Sequence, residues 1–365
     1  MKNTILAFCC ILLQQPLFAE NKDWLIDGSP YKTEVNLSSD KKQIELTNGL
    51  LRRSFSLTPN GATIALDNLM TGQNELRAVR PEAVLVINGK EYPVGGLEGQ
   101  PVHNFLTKDF LSGMQLCDSA FVLAGYTVSE TKERFPWKPN EAWISNRYPW
   151  PVPGKRITFT YRAPRKIVDE CKGLTIRIVY ELYDGAPILS KWIEIENNGQ
   201  KAVTLDSFKS EVLALVETAP KVHYGEPHEV RMMAQKTGYY TEDYRKRPVQ
   251  TDAPRDYIDR FTQLFVVTDY AMGGDMEAMK DNPAVRWVFD HPEYEFTGIR
   301  YYGQYKPAWL EVTPLLGPAE EIAPGESFTS CRAFEMLRDA TDQERRHRWL
   351  FAISKPWCQT ERCGD

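Results

Sequence analysis

Turn signals recur about every ten residues along much of this chain, and each separates two short segments in which apolar and polar residues alternate. The pairs are Asn48-Gly49, Asn60-Gly61, Thr71-Gly72, Asn88-Gly89 and Asp184-Gly185. Glycine adopts positive φ without a steric penalty, and Asn and Asp tolerate it, so most of these pairs favour tight reversals. Helical periodicity is almost absent before the C-terminal region. We therefore predict an all-β protein made of many short antiparallel strands.

The stretch YELYDGAPILSKWIEIENNG, residues 180–199, shows this pattern clearly. Its Asp-Gly pair predicts a turn between two strands. After the turn, Ile193 and Ile195 alternate with Glu194 and Glu196. Successive side chains of a strand point to opposite faces, so the stretch is predicted to be a hairpin with one apolar face and one solvated, charged face.

The chain has 365 residues, which is enough for a large core. It contains more strand-like segments than an immunoglobulin-like domain needs, so a larger double sheet is predicted. Two helices are expected. One is short and lies within residues 104–115. The other opens with a capping box, Thr341 followed by Glu344, and runs to about Ser354, before Pro356.

The first nineteen residues read as a secretory signal peptide, with one lysine, an apolar run over residues 5–13 and a small residue, Ala19, at the expected cleavage site. Export to the periplasm or the extracellular space is therefore predicted, with no membrane span. The predicted organisation is a signal peptide (1–19), a polar leader (20–40), the β domain (41–338), and a C-terminal helix and tail (339–365).

Composition narrows the classes of partner. The formal net charge is −5, which disfavours nucleic acid because phosphate binding needs a basic surface. Five cysteines follow the signal peptide, so at least one thiol is left free if the others pair: Cys117, Cys171, Cys331, Cys358 and Cys363. No zinc, phosphate-loop or dinucleotide motif is present, and no metal or cofactor is predicted. Nor does the sequence contain a nucleophile elbow.

Two aromatic segments supply the candidate carbohydrate-binding residues. RFPWKPNEAWISNRYPWPVPG contains Trp137, Trp143 and Trp150 between prolines, and rings on a stiff loop could stack on a sugar. A structural plug over the sandwich is the favoured alternative, because large aromatic side chains usually pack.

The second segment, DHPEYEFTGIRYYGQYKPAWLE, pairs His291 with Glu293, which could act as acid and base on a sugar ring. Tyr301, Tyr302 and Trp309 follow in the same segment. Ordinary packing is again the favoured alternative.

Several strings taken in order resemble the N-terminal region of bacterial secreted α-galactosidase-like proteins of the melibiase type. They are NGLLRRSF, PEAVLVINGKEYPVGGLEGQP, YPWPVPGKRITFTYRAP, YELYDGAPILSKWIEI and ESFTSCRAFEMLRDATDQERR. The resemblance implies a β-supersandwich of the galactose-mutarotase type that precedes a catalytic (β/α)₈ barrel. In that family the nucleophile and acid/base aspartates belong to the barrel, and no barrel motif is found here. The resemblance therefore assigns no catalytic residue to this chain.

The resulting expectation is an exported, carbohydrate-active accessory module that is not hydrolytic alone. Its partner would be a galactoside-type glycan or a glycosidase catalytic domain, with the chain either truncated or working beside another chain. Two alternatives stay open. One is a mutarotase-type sugar epimerase, and the other is a stand-alone glycan-binding or scaffold protein.

Overall fold

A computed structural model describes residues 23–100, 106–136, 150–163, 171–215, 264–269, 285–289, 308–314, 317–339 and 345. In chain order, its elements are β1 (Glu34–Leu37), β2 (Gln43–Thr47), β3 (Leu51–Ser56), β4 (Ala62–Asn68), β5 (Gln73–Asn74), β6 (Leu76–Ala78), β7 (Ala83–Ile87), β8 (Lys90–Val94), α1 (Lys108–Gly113), β9 (Val122–Glu130), β10 (Gly154–Arg162), β11 (Leu174–Tyr183), β12 (Ile188–Asn197), β13 (Val203–Lys209), β14 (Glu211–Leu215), β15 (Leu264–Thr268), β16 (Val285–Phe289), β17 (Ala308–Val312), β18 (Glu320–Ile322), β19 (Ser327–Thr329) and β20 (Ala333–Leu337). The prediction of an all-β chain is confirmed over these ranges.

The strands form four antiparallel sheets. A five-stranded N-terminal sheet has the order β1-β2-β3-β4-β5, and a seven-stranded sheet has the order β15-β20-β12-β11-β10-β9 with β19 also on β12. Two four-stranded sheets have the orders β18-β13-β7-β8 and β16-β17-β14-β6. The N-terminal sheet starts before residue 41, since β1 lies within the predicted leader and pairs with β2.

One contiguous hydrophobic cluster joins all four sheets. It includes Phe55 of β3, Leu85 of β7, Ile178 of β11 and Leu213 of β14, each almost fully buried. The ring of Phe55 lies 4.8 Å from the ring of Tyr180 on β11, measured between centroids. The inner face of the seven-stranded sheet therefore packs against strands of the other sheets, as layered β architectures require.

The hairpin over residues 180–199 forms as predicted, with its turn at Asp184-Gly185. Leu182 pairs with Leu189, and Gly185 in the turn has a φ of +79°. Near the far end of β12, Ile193 and Ile195 are buried and Glu194 is half-exposed, as the alternation predicted.

Near the turn, the prediction that the charged face of the hairpin is solvated is wrong. Glu181, Ser190 and Trp192 on the outer face are each no more than 1% exposed. Other polar and aromatic side chains cover this part of the sheet, and two-residue alternation alone cannot show what covers a face.

The predicted helix within residues 104–115 is observed as α1, whose N-cap Thr107 accepts a hydrogen bond from the Phe110 amide at 3.3 Å. Of the predicted C-terminal helix, Arg345 is described and is helical, and the rest lies outside the described residues. The same holds for the signal peptide and for Cys358 and Cys363. Among the described residues, Cys117 and Cys331 are half-buried thiols outside any disulfide, and Cys171 is buried. Within the described ranges, no helix combines the length and apolar character that crossing a bilayer requires.

Candidate functional site

Most of the sequence-predicted sugar-binding residues lie outside the described residues: Trp137, Trp143, His291, Glu293, Tyr301 and Tyr302. Trp309 belongs to β17 and pairs with Ala214 of β14, but the structure does not describe its side chain. Trp150 alone among the candidates is described with its side chain. The pairing of His291 with Glu293 therefore stays a prediction.

The side chain of Trp150 is partly used by the fold. Its Nε1 donates to the carbonyl oxygen of Phe135 at 3.1 Å, and the two rings lie 5.3 Å apart. Trp150 also packs against a small hydrophobic cluster that contains Trp24 and Tyr183. The half-buried ring closes one end of the seven-stranded sheet, which agrees with the plug alternative for this position and leaves its sugar-binding role untested.

Beside Trp150, the outer face of the same sheet carries a cluster made of Arg156, Glu181, Trp192 and Arg332, called here the Glu181 cluster. Arg156 donates to the Glu181 carboxylate through Nε at 2.8 Å, and Arg332 donates to it at 3.3 Å. Both guanidinium carbons also lie near the Trp192 ring centroid, at 5.0 Å and 3.8 Å. The Tyr183 hydroxyl donates to the same carboxylate at 3.1 Å. This carboxylate is thus saturated by donors.

On the inner face of the sheet, the core holds a second group of charges: Arg53, Glu82, Lys191, Glu211 and Glu335, called here the buried charge network. Arg53 contacts Glu211 at 2.9 Å and Glu335 at 3.1 Å. Lys191 contacts Glu211 at 2.8 Å and donates to the backbone carbonyl of Glu82 at 2.6 Å. These five residues are each no more than 2% exposed. Because they come from β3, β12, β14, β20 and the residue preceding β7, the network connects strands of all four sheets.

The Glu82 carboxylate is held by neutral donors as well. It accepts hydrogen bonds from the Thr63 amide and from the Tyr180 hydroxyl, and the Thr63 hydroxyl donates to it at 3.2 Å. Thr63 in turn accepts from Arg53 Nε at 3.0 Å. A buried carboxylate is stable only when its lone pairs are occupied in this way.

Glu211 and Glu335 share a hydrogen bond and titrate as a pair. Burial acts to raise the pKa of Glu211, but the nearby Arg53 and Lys191 outweigh it and lower that pKa. Burial and the negative charge of Glu211 both raise the pKa of Glu335 well above its ordinary value. Of the two, Glu335 therefore keeps its proton to the higher pH, and with Glu335 protonated two cations face two carboxylates.

Paired carboxyl groups are also the catalytic apparatus of glycoside hydrolases, in which they flank the scissile bond with room for substrate or water. Glu211 and Glu335 bond to each other and are sealed in the core, so no sugar reaches them. Glu181 is equally enclosed. Within the described ranges, no group of three or more His, Cys, Asp and Glu side chains is placed to hold a metal ion. The buried charge network links the four sheets, and the Glu181 cluster links neighbouring strands within the seven-stranded sheet.

The buried charge network is not among the predicted sites, although the sequence contains a signal for it. Lys191 lies between Leu189 and Ile193, and Glu335 lies between Ala333 and Leu337. In each case the charged residue falls on the face that carries the buried apolar residues. A charged side chain in phase with the apolar positions of a strand therefore indicates a buried ion pair.

Two tyrosines on neighbouring strands give a matched test of this network. The hydroxyls of Tyr161 and Tyr180 are both buried, but Tyr180 donates to Glu82, whereas that of Tyr161 has no hydrogen-bond partner among the described residues. We expect Tyr180→Phe to lower the free energy of unfolding by about 1–3 kcal/mol, and Tyr161→Phe to leave it unchanged or raise it slightly. Urea unfolding of the two variants measures this difference. Equal losses would contradict the assigned contacts.

Comparison with known proteins gives matches among solved structures. No protein-family model and no curated protein matches the chain. The GH36 alpha-galactosidase AgaB from Geobacillus stearothermophilus is 11% identical, with a TM-score of 0.39, and the alignment covers 84% of this chain and 41% of that one. The alpha-galactosidase from Lactobacillus brevis is 9% identical, with a TM-score of 0.41 and coverages of 88% and 42%.

A TPR-domain containing protein from Parabacteroides distasonis also matches, at 13% identity and a TM-score of 0.34, with coverages of 80% and 46%. The chain spans less than half the length of each of these three proteins. Solved α-galactosidases are thus among the structures that it resembles, over part of their length.

Proposed function

We propose that this chain is an exported accessory module of an α-galactosidase-type glycoside hydrolase. In this proposal the module contacts a galactoside-type glycan, supports a catalytic domain and does not hydrolyse glycosidic bonds by itself. The four sheets with a shared core would form a β-supersandwich of the galactose-mutarotase type. Export rests on the leader-like pattern of residues 1–19.

The observation that carries the proposal is where the buried charge network lies in the sequence. Arg53 falls within NGLLRRSF, and Glu82 within PEAVLVINGKEYPVGGLEGQP. Lys191 falls within YELYDGAPILSKWIEI, and Glu335 within ESFTSCRAFEMLRDATDQERR. Four of the five strings that resemble the α-galactosidase region therefore contribute a side chain to the network that connects the sheets, and Glu211 of β14 joins it from outside these strings. The resemblance concerns the internal architecture of the sandwich, which is the part that a supporting module would share with such an enzyme.

The enclosure of the carboxylates supports the non-hydrolytic part of the proposal. The carboxyl groups of the two clusters are buried and accept hydrogen bonds from Arg, Lys, Tyr and Thr side chains. A hydrolase needs one carboxyl group poised as an acid and a second one facing the sugar, both reachable by substrate. Neither alternative function is favoured by a described residue, because His291 and Glu293 lie outside the described ranges.

The test combines turnover with binding. The purified chain is incubated with p-nitrophenyl α-galactoside, with an active α-galactosidase as the positive control, and is titrated calorimetrically with stachyose and galactomannan. We expect binding without release of p-nitrophenol. Turnover by the purified chain would overturn the non-hydrolytic part of the proposal. Absence of binding to both glycans would overturn its carbohydrate part.

A further inference from the structure

A groove of about 940 Å³ lies on the outer face of the N-terminal sheet, away from the buried charge network and the Glu181 cluster. In β2, Ile44 and Leu46 point into the core, so Gln43 and Glu45 face outward and line the groove. In β3 the outward residues are Arg52, Ser54 and Ser56, which also line it. The floor of the groove is therefore a ladder of polar side chains across neighbouring strands.

An irregularity in the sheet gives the groove an apolar wall. The pairing of β3 with β4 shifts between Ser54 and Phe55, at Ile64 of β4. Ile64 and Met114 belong to one small hydrophobic cluster, and Leu111 of α1 packs against it. All three residues line the groove. A β-bulge turns a side chain to the opposite face in this way. The helix and the bulge together close one side of the polar ladder.

The charges in the groove balance. Its lining includes three carboxylates, Asp40, Glu45 and Asp67, and three cations, Lys42, Arg52 and Lys108. A groove for an anionic polymer would carry an excess of cations. Balanced charges with many hydrogen-bonding groups and an aliphatic wall suit a neutral, polyhydroxylated ligand.

The most ordered part of the lining is a row of paired residues across β3, β4 and β5. Arg52 is opposite Asp67, and Asp67 is opposite Asn74. Arg52 Nε and Nη2 both lie 2.8 Å from Asp67 Oδ2. The side-chain oxygen of Asn74 accepts from the Leu76 amide at 2.8 Å, which holds the side chain in place and leaves its NH₂ group as a donor. Directly opposite residues in an antiparallel pair have Cβ atoms about 5 Å apart.

A carboxylate that accepts and an amide that donates, held side by side at that spacing, match two adjacent hydroxyl groups on a sugar ring. We infer that this groove binds a neutral carbohydrate chain, with Asp67 and Asn74 contacting vicinal hydroxyls and Arg52 holding the Asp67 carboxylate in position. The inference rests on the proposed function and places its glycan contact on this chain. Among the described residues the lining contains no aromatic ring, so a dissociation constant of roughly 1 mM is expected.

The test compares variants of the groove with a matched pair elsewhere. Arg177 and Glu196 form a similar partly exposed ion pair on the outer face of the seven-stranded sheet, and neither residue lines the groove. Binding of stachyose and galactomannan is measured for the unaltered chain, for Asp67→Asn, for Asn74→Ala and for the control Glu196→Gln. Thermal unfolding of each variant shows that the fold is kept.

We expect each groove variant to weaken binding at least tenfold and the control to leave it unchanged. If the unaltered chain and the groove variants bind equally well, the groove assignment is overturned and the proposed function stands. If the unaltered chain binds neither glycan, both the groove assignment and the carbohydrate part of the proposed function are overturned. Preferential binding of polygalacturonate would overturn the assignment of a neutral ligand.

Discussion

The double variant Glu211→Gln/Glu335→Gln is expected to lower the free energy of unfolding by about 3–5 kcal/mol at pH 7, whereas Glu335→Gln alone is expected not to lower it. With Glu335 protonated, Arg53 and Lys191 are balanced by Glu82 and Glu211. Glutamine is a close mimic of a protonated glutamic acid, so replacing Glu335 keeps this balance. Removing both carboxyl groups leaves two buried cations facing the single carboxylate of Glu82.

The pH dependence of these variants follows from the two pKa shifts. The folded-state pKa of Glu335 lies above its ordinary value of 4.5, so its contribution is fully present below about pH 4.5 and is lost as the pH rises through the raised pKa. Glu211 is the reverse case, because its lowered pKa gives stability above about pH 4.5 that is lost as the pH falls.

Glu335→Gln should therefore remove the loss of stability above pH 4.5. Between the pKa of Glu335 in the unfolded chain and its raised pKa in the folded chain, the unaltered chain loses stability as the pH rises. Over this range the free energy of unfolding of the variant increases relative to that of the unaltered chain by up to about 1.4 kcal/mol per pH unit. Urea unfolding from pH 4 to pH 9 measures both curves. A Glu335→Gln variant that loses stability as strongly as the double variant would show that Glu335 is charged and paired in the folded chain.

The strands, the turns and α1 could be predicted because their signals are local. The Asp-Gly pair of the hairpin at residues 180–199 and the alternation of Ile193 with Glu194 depend on neighbours within a few residues. The buried charge network depends on contacts between residues far apart in sequence. Arg53 contacts Glu211, 158 positions away, and Glu335, 282 positions away. Periodicity gives the face on which Lys191 lies, but it does not give the partner that makes burial of a charge tolerable.

The same reason explains why the groove was not among the predicted sites. Aromatic residues between prolines were singled out because their composition is distinctive, and Trp150 shows that such a ring can be used for packing. The groove has ordinary composition, with residues such as Glu45, Arg52 and Asp67 that read as an exposed strand face. Its concavity comes from the bulge at Ile64 and from the position of α1, which are properties of the tertiary structure.

Lys191→Met is expected to be the most damaging single substitution of a charged residue in the core, with a loss of about 3–5 kcal/mol in the free energy of unfolding. Methionine fills a similar volume but leaves the Glu82 carbonyl and the Glu211 carboxylate without the lysine donor, so the network carries an uncompensated negative charge. The control is Lys41→Met, because Lys41 is solvent-exposed and is expected to change stability by less than about 0.5 kcal/mol.

The charge explanation has a second, sharper test. Lys191→Met combined with Glu211→Gln removes one cation and one carboxylate, so Arg53 and Glu82 remain in balance. The double variant is therefore expected to be more stable than the sum of the two single losses predicts, by at least about 1 kcal/mol in a double-mutant cycle. Urea unfolding of the four proteins measures this coupling. Strictly additive losses would contradict the charge explanation, because they would mean that the loss at Lys191 does not depend on the charge of Glu211.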